Sequence, residues 1–278
     1  NRVWLSNRVS KEVEAFDLVG GQLVRGPRVA LPQGSSYYSL DSYEFGPGHS
    51  LAYDGSHLVA LGMKPTGAGL ITLTGADGPK PRASFIETNL PGTSVVTAAG
   101  YVVSSKSTPS TSSIPTNFLP KVQLRDTKSL LWEMTPSNFQ GNSFGYSMAA
   151  TESMLWIASP VMNGGRVDGY RMGTFQPAIS IISPQGIPGG VFGHSIAAHG
   201  PYLVIGEPSN SAPGAAWVFS ADGNTLLKRL ESGEAGRDRF GCRVAVRNGR
   251  ILVGSGRING GFGSDAPAPP DHRPVFLW

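Results

Sequence analysis

The 278-residue sequence predicts an all-β fold, a β-propeller of four-stranded antiparallel blades. Three observations predict it. One sequence pattern recurs at equal spacing, each copy is followed by the same order of short apolar strands, and the composition suits many short elements joined by turns. The 37 Gly and 22 Pro, with only 15% charged residues, argue against long solvated helices.

The N-terminal residues 1–32 are predicted to form a partial blade. Residues 3–6 match the second strand of the repeat, and no first strand precedes them. Residues 13–18, followed by Gly20 and Gly21, indicate a strand and a hairpin turn, because glycine readily adopts the positive φ angles that such turns need. We expect a further strand after this turn.

Two loose copies of the repeat follow at Pro47 and Pro91, where proline replaces the phenylalanine of the later copies. A short apolar strand comes after each of them. Residues 122–126 and 130–134 then indicate a hairpin of alternating strands. The two proline positions therefore mark the first two inner strands of the propeller.

Three close copies begin at Phe144, Phe192 and Phe240, an equal step of 48 residues. Each begins Phe-Gly and continues into small apolar residues, which suit an inner strand near a crowded centre. After Phe192, a strand at 215–219 and an Asp-Gly turn at 221–224 lead into the last strand of a blade. Bulky side chains are expected to fill the spaces between blades, namely Leu203, Val204, Trp217 and Phe219.

The number of blades follows from these anchors, the partial blade and a last strand at 275–278. Together they predict one propeller domain over residues 1–278 with six blades, five being the alternative, closed by the N- and C-terminal strands. The inner-strand anchors lie near residues 47, 91, 144, 192 and 240.

The repeat also resembles a known family. It consists of Phe-Gly-x-Ser-apolar-Ala, then an apolar strand ending in Gly-x-Pro at 206–208, then Gly-Ala-Ala-Trp-Val-Phe at 214–219. This pattern resembles the bacterial type of FG-GAP repeat and is similar to the blades of integrin α-subunit propellers. The match is close over residues 144–255 and looser, but in phase, over residues 1–143.

The resemblance implies a binding module that is extracellular or belongs to the cell envelope. Integrin-type blades often carry a calcium loop between their first two strands. The corresponding connections here are too short and too poor in oxygen ligands to bind calcium in that manner: 53–56, 151–153, 199–201 and 247–249. We therefore predict neither a metal nor a cofactor.

The longest connection in each blade falls between its second and third strands, so all of these connections are expected on one face of the ring. This loop face also carries the turns that lead into each Phe-Gly. Its connections are residues 62–67, 104–120, 161–166, 207–214 and 256–274. We predict that it binds a partner through Lys64, Lys106, Asn117, Phe118, Asn163, Arg166, Glu207, Asn210, Arg257, Asn259, Phe262, Asp265 and His272.

No enzyme is predicted, because the sequence has no Gly-x-Ser-x-Gly elbow, no His-Glu-x-x-His and no phosphate loop. Cys242 lies in an inner strand and is predicted to be a small core residue, not a nucleophile. His49 and His194 share one repeat position, with Thr93, Tyr146 and Cys242 as equivalents. No close-spaced ligand pair supports a metal site there, so we predict hydrogen bonds to the neighbouring blade.

The charge and hydropathy of the sequence argue against nucleic-acid binding and against a transmembrane segment. The net charge of +4 is scattered along the chain, so nucleic acid is not predicted as a partner. No stretch approaches roughly 18 consecutive apolar residues, so no transmembrane segment is predicted. The leading hypothesis is a noncatalytic module that binds a protein or glycan through the loop face. The alternatives are a structural subunit, acting as a rigid spacer in a larger assembly, and a propeller-type hydrolase or lyase.

Overall fold

A computed structural model gives the fold of the chain. It describes residues 2–7, 12–33, 36–37, 51–53, 58–64, 67–75, 81–87, 94–106, 121–126, 129–134, 143–161, 164–209, 211–232, 239–255 and 275–277. These residues form 23 β-strands, and every pair of neighbouring strands in their sheets is antiparallel. The predicted all-β class is confirmed. Within the same ranges, no helix is long and apolar enough to cross a membrane.

The chain divides into two compact units, and twelve strands belong to unit 1. They form where short apolar runs are bounded by turn residues. These strands are β1 (Arg2–Asn7), β2 (Glu12–Val19), β3 (Gln22–Ala30), β4 (Ser36–Tyr37), β5 (Leu51–Tyr53), β6 (Leu58–Lys64), β7 (Gly67–Thr74), β8 (Arg82–Glu87), β9 (Ser94–Ala98), β10 (Tyr101–Lys106), β11 (Lys121–Arg125) and β12 (Leu130–Met134).

Unit 2 contains the close repeats and the other eleven strands. The first strand of each repeat begins two or three residues after its Phe-Gly. The strands are β13 (Met148–Ala150), β14 (Met154–Ser159), β15 (Arg166–Arg171), β16 (Pro177–Ile182), β17 (Ser195–His199), β18 (Tyr202–Glu207), β19 (Ala215–Ser220), β20 (Leu226–Leu230), β21 (Arg243–Arg247), β22 (Arg250–Gly254) and β23 (Val275–Leu277).

The described strands form three sheets in each unit, and the sheets are numbered in chain order. Unit 1 has sheet 1 (β1–β3), sheet 2 (β4–β8) and sheet 3 (β9–β12), and unit 2 has sheet 4 (β13–β16), sheet 5 (β17–β20) and sheet 6 (β21–β23). Sheets 3, 4 and 5 have the predicted four strands in sequence order. Sheet 2 has a fifth strand, β4, which pairs with β6. In the described ranges sheets 1 and 6 have three strands. The count of six or five blades in one ring, and its closure by the terminal strands, stay predictions, and the anchors at 47 and 91 lie outside the described residues.

Neighbouring sheets of unit 1 cover each other's apolar faces. A single sheet of this size cannot bury both faces, so stability depends on the next sheet. One cluster between sheets 1 and 2 contains Trp4 and Leu58, and another between sheets 2 and 3 contains Leu70 and Val102. Sheet 2 is therefore buried on both faces.

Sheet 5 has the same position in unit 2. Leu203, Trp217 and Phe219 pack with Trp156 in the cluster between sheets 4 and 5, and Val204 faces the cluster between sheets 5 and 6. The prediction that these four residues of sheet 5 fill the spaces between blades is confirmed. Both tryptophans are completely buried, so they contribute strongly to the stability of unit 2.

Candidate binding site at the loop face

The Phe-Gly pair forms a tight turn in each close repeat. The backbone N–H of the residue after glycine donates to a carbonyl three residues earlier, at 3.0 to 3.2 Å, in the turns 143–146, 191–194 and 239–242. The glycine is the third residue of each turn and has φ of 80°, 84° and 90°, for Gly145, Gly193 and Gly241 respectively. Only glycine adopts such angles easily, which explains why the repeat requires it.

The turn is fixed to its own sheet and to the one before it. The phenylalanine side chains are almost fully buried, and the glycine N–H bonds the second strand of its own sheet, as from Gly193 to Gly206 O at 3.1 Å. The serine of the preceding repeat donates to the glycine carbonyl: Ser147 Oγ to Gly193 O at 2.8 Å, and Ser195 Oγ to Gly241 O at 2.9 Å. The Phe-Gly-x-Ser pattern thus joins consecutive sheets.

Glycines of the preceding sheet make room for this turn. A Cβ atom on Gly206 would collide with the Gly241 carbonyl oxygen, and one on Gly214 would collide with that of Phe240. In sheet 4, Gly165 lies equally close to the Phe192 carbonyl. We call these close approaches, together with the serine hydrogen bond, the seat of the Phe-Gly turn.

Three connections of the loop face are bonded to each other in unit 2. The Phe192 N–H donates to Gly164 O and the Val191 N–H to Pro208 O, both at 3.0 Å, and an antiparallel bridge joins Gly190 to Ser209. We call this surface the loop platform; it consists of residues 160–161, 164–165, 183–191, 207–209 and 211–214. Its backbone is therefore held in one arrangement.

Ser209 organises the third of these connections. Its hydroxyl donates to Pro188 O at 2.6 Å and accepts from the N–H groups of Ser211 and Ala212 at 3.0 and 3.1 Å. The side chain is nearly fully buried. This single hydroxyl therefore connects residues 183–191 with residues 207–214.

Glu207 is the residue of the loop platform that ends β18, and its side chain points away from the surface. Its side chain is completely buried, and its Oε2 accepts from Ser183 Oγ and from Trp217 Nε1, both at 2.7 Å. Burial raises the pKa of this carboxyl, against the opposing effect of the hydrogen bonds from Ser183, Trp217 and the Ile187 backbone and the attraction of Arg229. The carboxylate binds the loop platform to the core of sheet 5.

Arg229, on β20, also attaches the loop platform to sheet 5. Its guanidinium lies over the Trp217 ring at 5.2 Å, bonds Gln185 of the loop platform, and pairs with Glu231 at 2.7 Å. Loop residues 183–187 are therefore attached to sheet 5 by one buried carboxylate and one stacked cation.

Arg166 is an exposed charged side chain at the edge of the loop platform. It begins β15, its side chain is 51% exposed, and its Nε donates to Asp168 Oδ2 at 2.9 Å. Asp168 is nearly buried and also accepts from Ser180. The guanidinium is thus oriented by its neighbour while it stays accessible to a partner.

The structure locates four of the thirteen predicted contact residues. Arg166 is exposed as predicted, whereas Glu207 is buried below the surface on which it was expected, because Trp217 and Ser183 supply donors that hold it there. Lys64 and Lys106 end β6 and β10 in unit 1. The other nine lie outside the described residues: Asn117, Phe118, Asn163, Asn210, Arg257, Asn259, Phe262, Asp265 and His272.

No feature of the repeat pattern pointed to Ser183, Gln185 or Arg229. Trp217 was expected only as a packing residue. The repeat pattern contained one indication of the contact between Glu207 and Trp217. Glu207 is the variable residue of Gly-x-Pro at the end of one strand, and Trp217 is the aromatic residue of the next strand. Their positions in neighbouring strands allow the contact.

The predicted hydrogen bonding of the repeat-equivalent residues is confirmed at His194. Its Nδ1 lies 3.2 Å from Cys242 O in the next sheet, and its Nε2 lies 3.3 Å from the Tyr146 hydroxyl in the previous one. Cys242 is buried, and its thiol lies 3.3 Å from Gly254 O, as expected of a small core residue. No group of three or more metal-ligating side chains occurs among the described residues.

The pKa of Glu207 leads to a pH-dependent prediction for Glu207→Gln. A raised pKa means that the folded protein holds the proton more tightly than the unfolded chain. The stability of the unmodified protein relative to the variant should therefore be greatest below the ordinary carboxyl pKa and fall as the pH rises through the raised value. Urea unfolding of both proteins between pH 4 and pH 8 measures this difference.

The comparison with Glu207→Gln removes the contributions of the other carboxyl groups, since these are common to both proteins. Asp168→Asn serves as a control in the neighbouring sheet. A stability difference for Glu207→Gln that is constant with pH, or that grows in favour of the unmodified protein as the pH rises, would contradict the raised pKa.

Comparison with known proteins shows the fold and not the family. No family model matches the chain, and no curated protein matches it. Among solved structures it is similar to one described as "Structure of Dos1 propeller", with 13% sequence identity and a TM-score of 0.50. The match covers 88% of this chain and 60% of that one, so this chain spans less than two thirds of its length. The β-propeller fold is thereby confirmed, whereas the FG-GAP resemblance is not.

Proposed function

We propose that this β-propeller is a noncatalytic binding module, extracellular or in the cell envelope, which recognises a protein or glycan partner through its loop face. Propellers commonly serve as binding scaffolds. The observation that carries the proposal is the loop platform of unit 2, where three connections are locked by backbone hydrogen bonds and by the buried Glu207. A surface that is rigid before binding loses little entropy when it meets a partner.

The carboxyl groups of Glu207, in the loop platform, and of Asp168, in the adjoining strand β15, support a binding role over a catalytic one. The Glu207 carboxylate is fully buried and already accepts two hydrogen bonds, so it does not reach a substrate. Asp168 accepts from Arg166 and Ser180. Both carboxylates therefore hold other residues in position.

The predicted contact residues indicate the chemistry of the partner. Four of the thirteen are Lys or Arg, and the exposed Arg166 guanidinium offers several hydrogen-bond donors in a planar arrangement. Such donors recognise carboxylate groups and hydroxyl-rich surfaces. We expect a partner with acidic side chains or acidic sugars.

A second function, that of a structural subunit, is favoured by a separate observation. The last strands of sheets 3, 4 and 5 expose large apolar side chains, at 43% to 68% of their surface: Leu130, Leu131, Ile182, Leu226 and Leu227. Exposed apolar residues on outer strands can mark contacts within an assembly. Light scattering of the isolated chain tests this alternative, because a stable monomer at high concentration would contradict obligatory assembly.

Binding by the loop face can be tested with two arginines of one strand. Arg166 and Arg171 are both exposed and stand at opposite ends of β15, the first at the loop platform. We expect Arg166→Ala to weaken binding of the captured protein or glycan by about tenfold, and Arg171→Ala to leave it unchanged. Glycan arrays and pull-downs from cell-envelope extracts supply the ligand.

Two loop replacements extend this test to the rest of the loop face. Residues 107–120 and 256–274 are each replaced by a short Gly-Ser linker, and circular dichroism verifies the fold. Loss of binding in either variant supports the proposal. Full binding by both variants and by Arg166→Ala would place the contact elsewhere.

A further inference from the structure

Asn248 and Gly249 form the two-residue turn between β21 and β22. The two strands pair as far as Arg247 and Arg250, and both turn residues have positive φ, 49° for Asn248 and 76° for Gly249. Asn-Gly is the sequence that two-residue hairpin turns of this kind favour. Both residues are exposed at the end of the hairpin, so water reaches them freely.

The side-chain amide of Asn248 and the backbone N–H of Gly249 make no hydrogen bond to any residue in the described part of the chain. An asparagine amide can be attacked by the backbone nitrogen that follows it, most readily when glycine leaves that nitrogen unshielded. Here the N–H of Asn248 itself donates to His199 Nδ1, at 3.4 Å. A Cβ atom on Gly249 would meet nothing within 4 Å. The attacking nitrogen and the amide that it attacks are therefore both accessible.

Asn224 has the opposite arrangement in an equally exposed connection, between β19 and β20. Its Nδ2 donates to Asp222 Oδ2 at 2.8 Å. The N–H of the following residue, Thr225, donates to Ser220 Oγ at 3.0 Å. The branched threonine side chain also crowds this nitrogen. Both groups are thus held in place, so the two asparagines differ in reactivity although both are exposed.

The charges beside the Asn248 turn favour the same reaction. Arg247 and Arg250 are directly opposite each other in the register, where like charges repel. Nearby cations stabilise an anion, and the nitrogen of Gly249 must lose its proton before it attacks. The two arginines therefore assist the attack and attract a negatively charged product.

We propose that Asn248 is a site of spontaneous deamidation. The Gly249 nitrogen attacks Asn248 Cγ, a bond forms between them, the Cγ–Nδ2 bond breaks, and ammonia leaves with the proton that the nitrogen gave up. Water then opens the cyclic succinimide at either of its carbonyl groups and gives aspartate or isoaspartate. The inference goes beyond the proposed binding function, since it concerns the sheet 6 hairpin and needs no partner.

The reaction would change sheet 6 in two ways. Either product places a carboxylate between Arg247 and Arg250, which reduces their repulsion. Isoaspartate also lengthens the backbone by one methylene group, so the turn no longer matches the strands that it joins. The next pair of the ladder, Val246 and Ile251, lies in the cluster between sheets 5 and 6. We expect isoaspartate to weaken this packing.

Peptide mapping by mass spectrometry, after incubation of the folded chain at pH 6 and at pH 8, tests the proposal. We expect aspartate and isoaspartate to accumulate at position 248, faster at pH 8, and at least about tenfold faster than at Asn224. Asn163 and Asn259 also precede glycine, lie outside the described residues and are followed on separate peptides.

Gly249→Ala is the variant that isolates the ring closure. Its methyl group shields the attacking nitrogen, so conversion at Asn248 should slow by about tenfold. If this variant does not fold, the comparison of Asn248 with Asn224 in the unmodified protein still decides. The proposal is overturned by an unchanged Asn248, by equal conversion of Asn248 and Asn224, by a Gly249→Ala rate equal to that of the unmodified protein, or by aspartate without isoaspartate.

Discussion

Gly241→Ala is expected to destabilise unit 2 by about 4 kcal/mol. Gly241 has φ of 90°, where an L-residue is strained by about 1 to 3 kcal/mol. Its new Cβ would also collide with the Ala215 carbonyl oxygen and lie 3.1 Å from the Glu207 nitrogen. Overpacking of this kind costs about 1 to 3 kcal/mol more. Guanidinium unfolding followed by tryptophan fluorescence measures the loss, because Trp156 and Trp217 are buried in unit 2.

Gly249→Ala is the matched control in the same sheet. Gly249 has a similar φ of 76°, but a Cβ atom there would meet nothing within 4 Å. Only the conformational strain remains, so we expect a loss of about 1 kcal/mol. Equal losses of unfolding free energy for the two variants would show that the close packing of Gly241 against the Ala215 carbonyl adds nothing to stability.

Trp217→Ala is expected to cost about 6 kcal/mol of unfolding free energy. Removal of a buried tryptophan leaves a cavity that costs about 3 to 5 kcal/mol. The variant also removes a donor to the buried Glu207 carboxylate, at about 1.5 to 3 kcal/mol for a hydrogen bond to a charged group. Equilibrium unfolding in urea at pH 7 measures the total.

Trp156→Ala separates these two contributions. Trp156 is as completely buried as Trp217, in the same cluster, but its Nε1 makes no hydrogen bond. Its loss should therefore be smaller by about 2 kcal/mol. The difference should shrink at low pH as Glu207 takes up a proton. Identical losses at every pH would argue that the Glu207–Trp217 bond contributes nothing.

Sequence periodicity was sufficient to predict the repeat and its strands. The equal step from Phe144 to Phe192 to Phe240 located the inner strands, because the Phe-Gly turn depends on local backbone geometry that only glycine satisfies. Burial of Trp217 and Phe219 was also predictable, because the two residues are two positions apart in one strand and so share a face of the sheet. Alternating strands show which side chains point away from water.

The position of Glu207 was not predictable from local sequence. A glutamate in a surface connection is normally exposed. Here its partners are Ser183, 24 residues earlier, and Trp217, 10 residues later, and only the folded sheets bring them together.

The residues that form the seat of each Phe-Gly turn come before that turn in the chain. Ser147 and Gly165 receive the turn at Phe192, and Ser195, Gly206 and Gly214 receive the turn at Phe240. Within unit 2, each receiving sheet precedes the turn that it receives. During synthesis on the ribosome, the residues that contact each new Phe-Gly turn have therefore already been made. The order of these contacts matches the order of synthesis from the N-terminus.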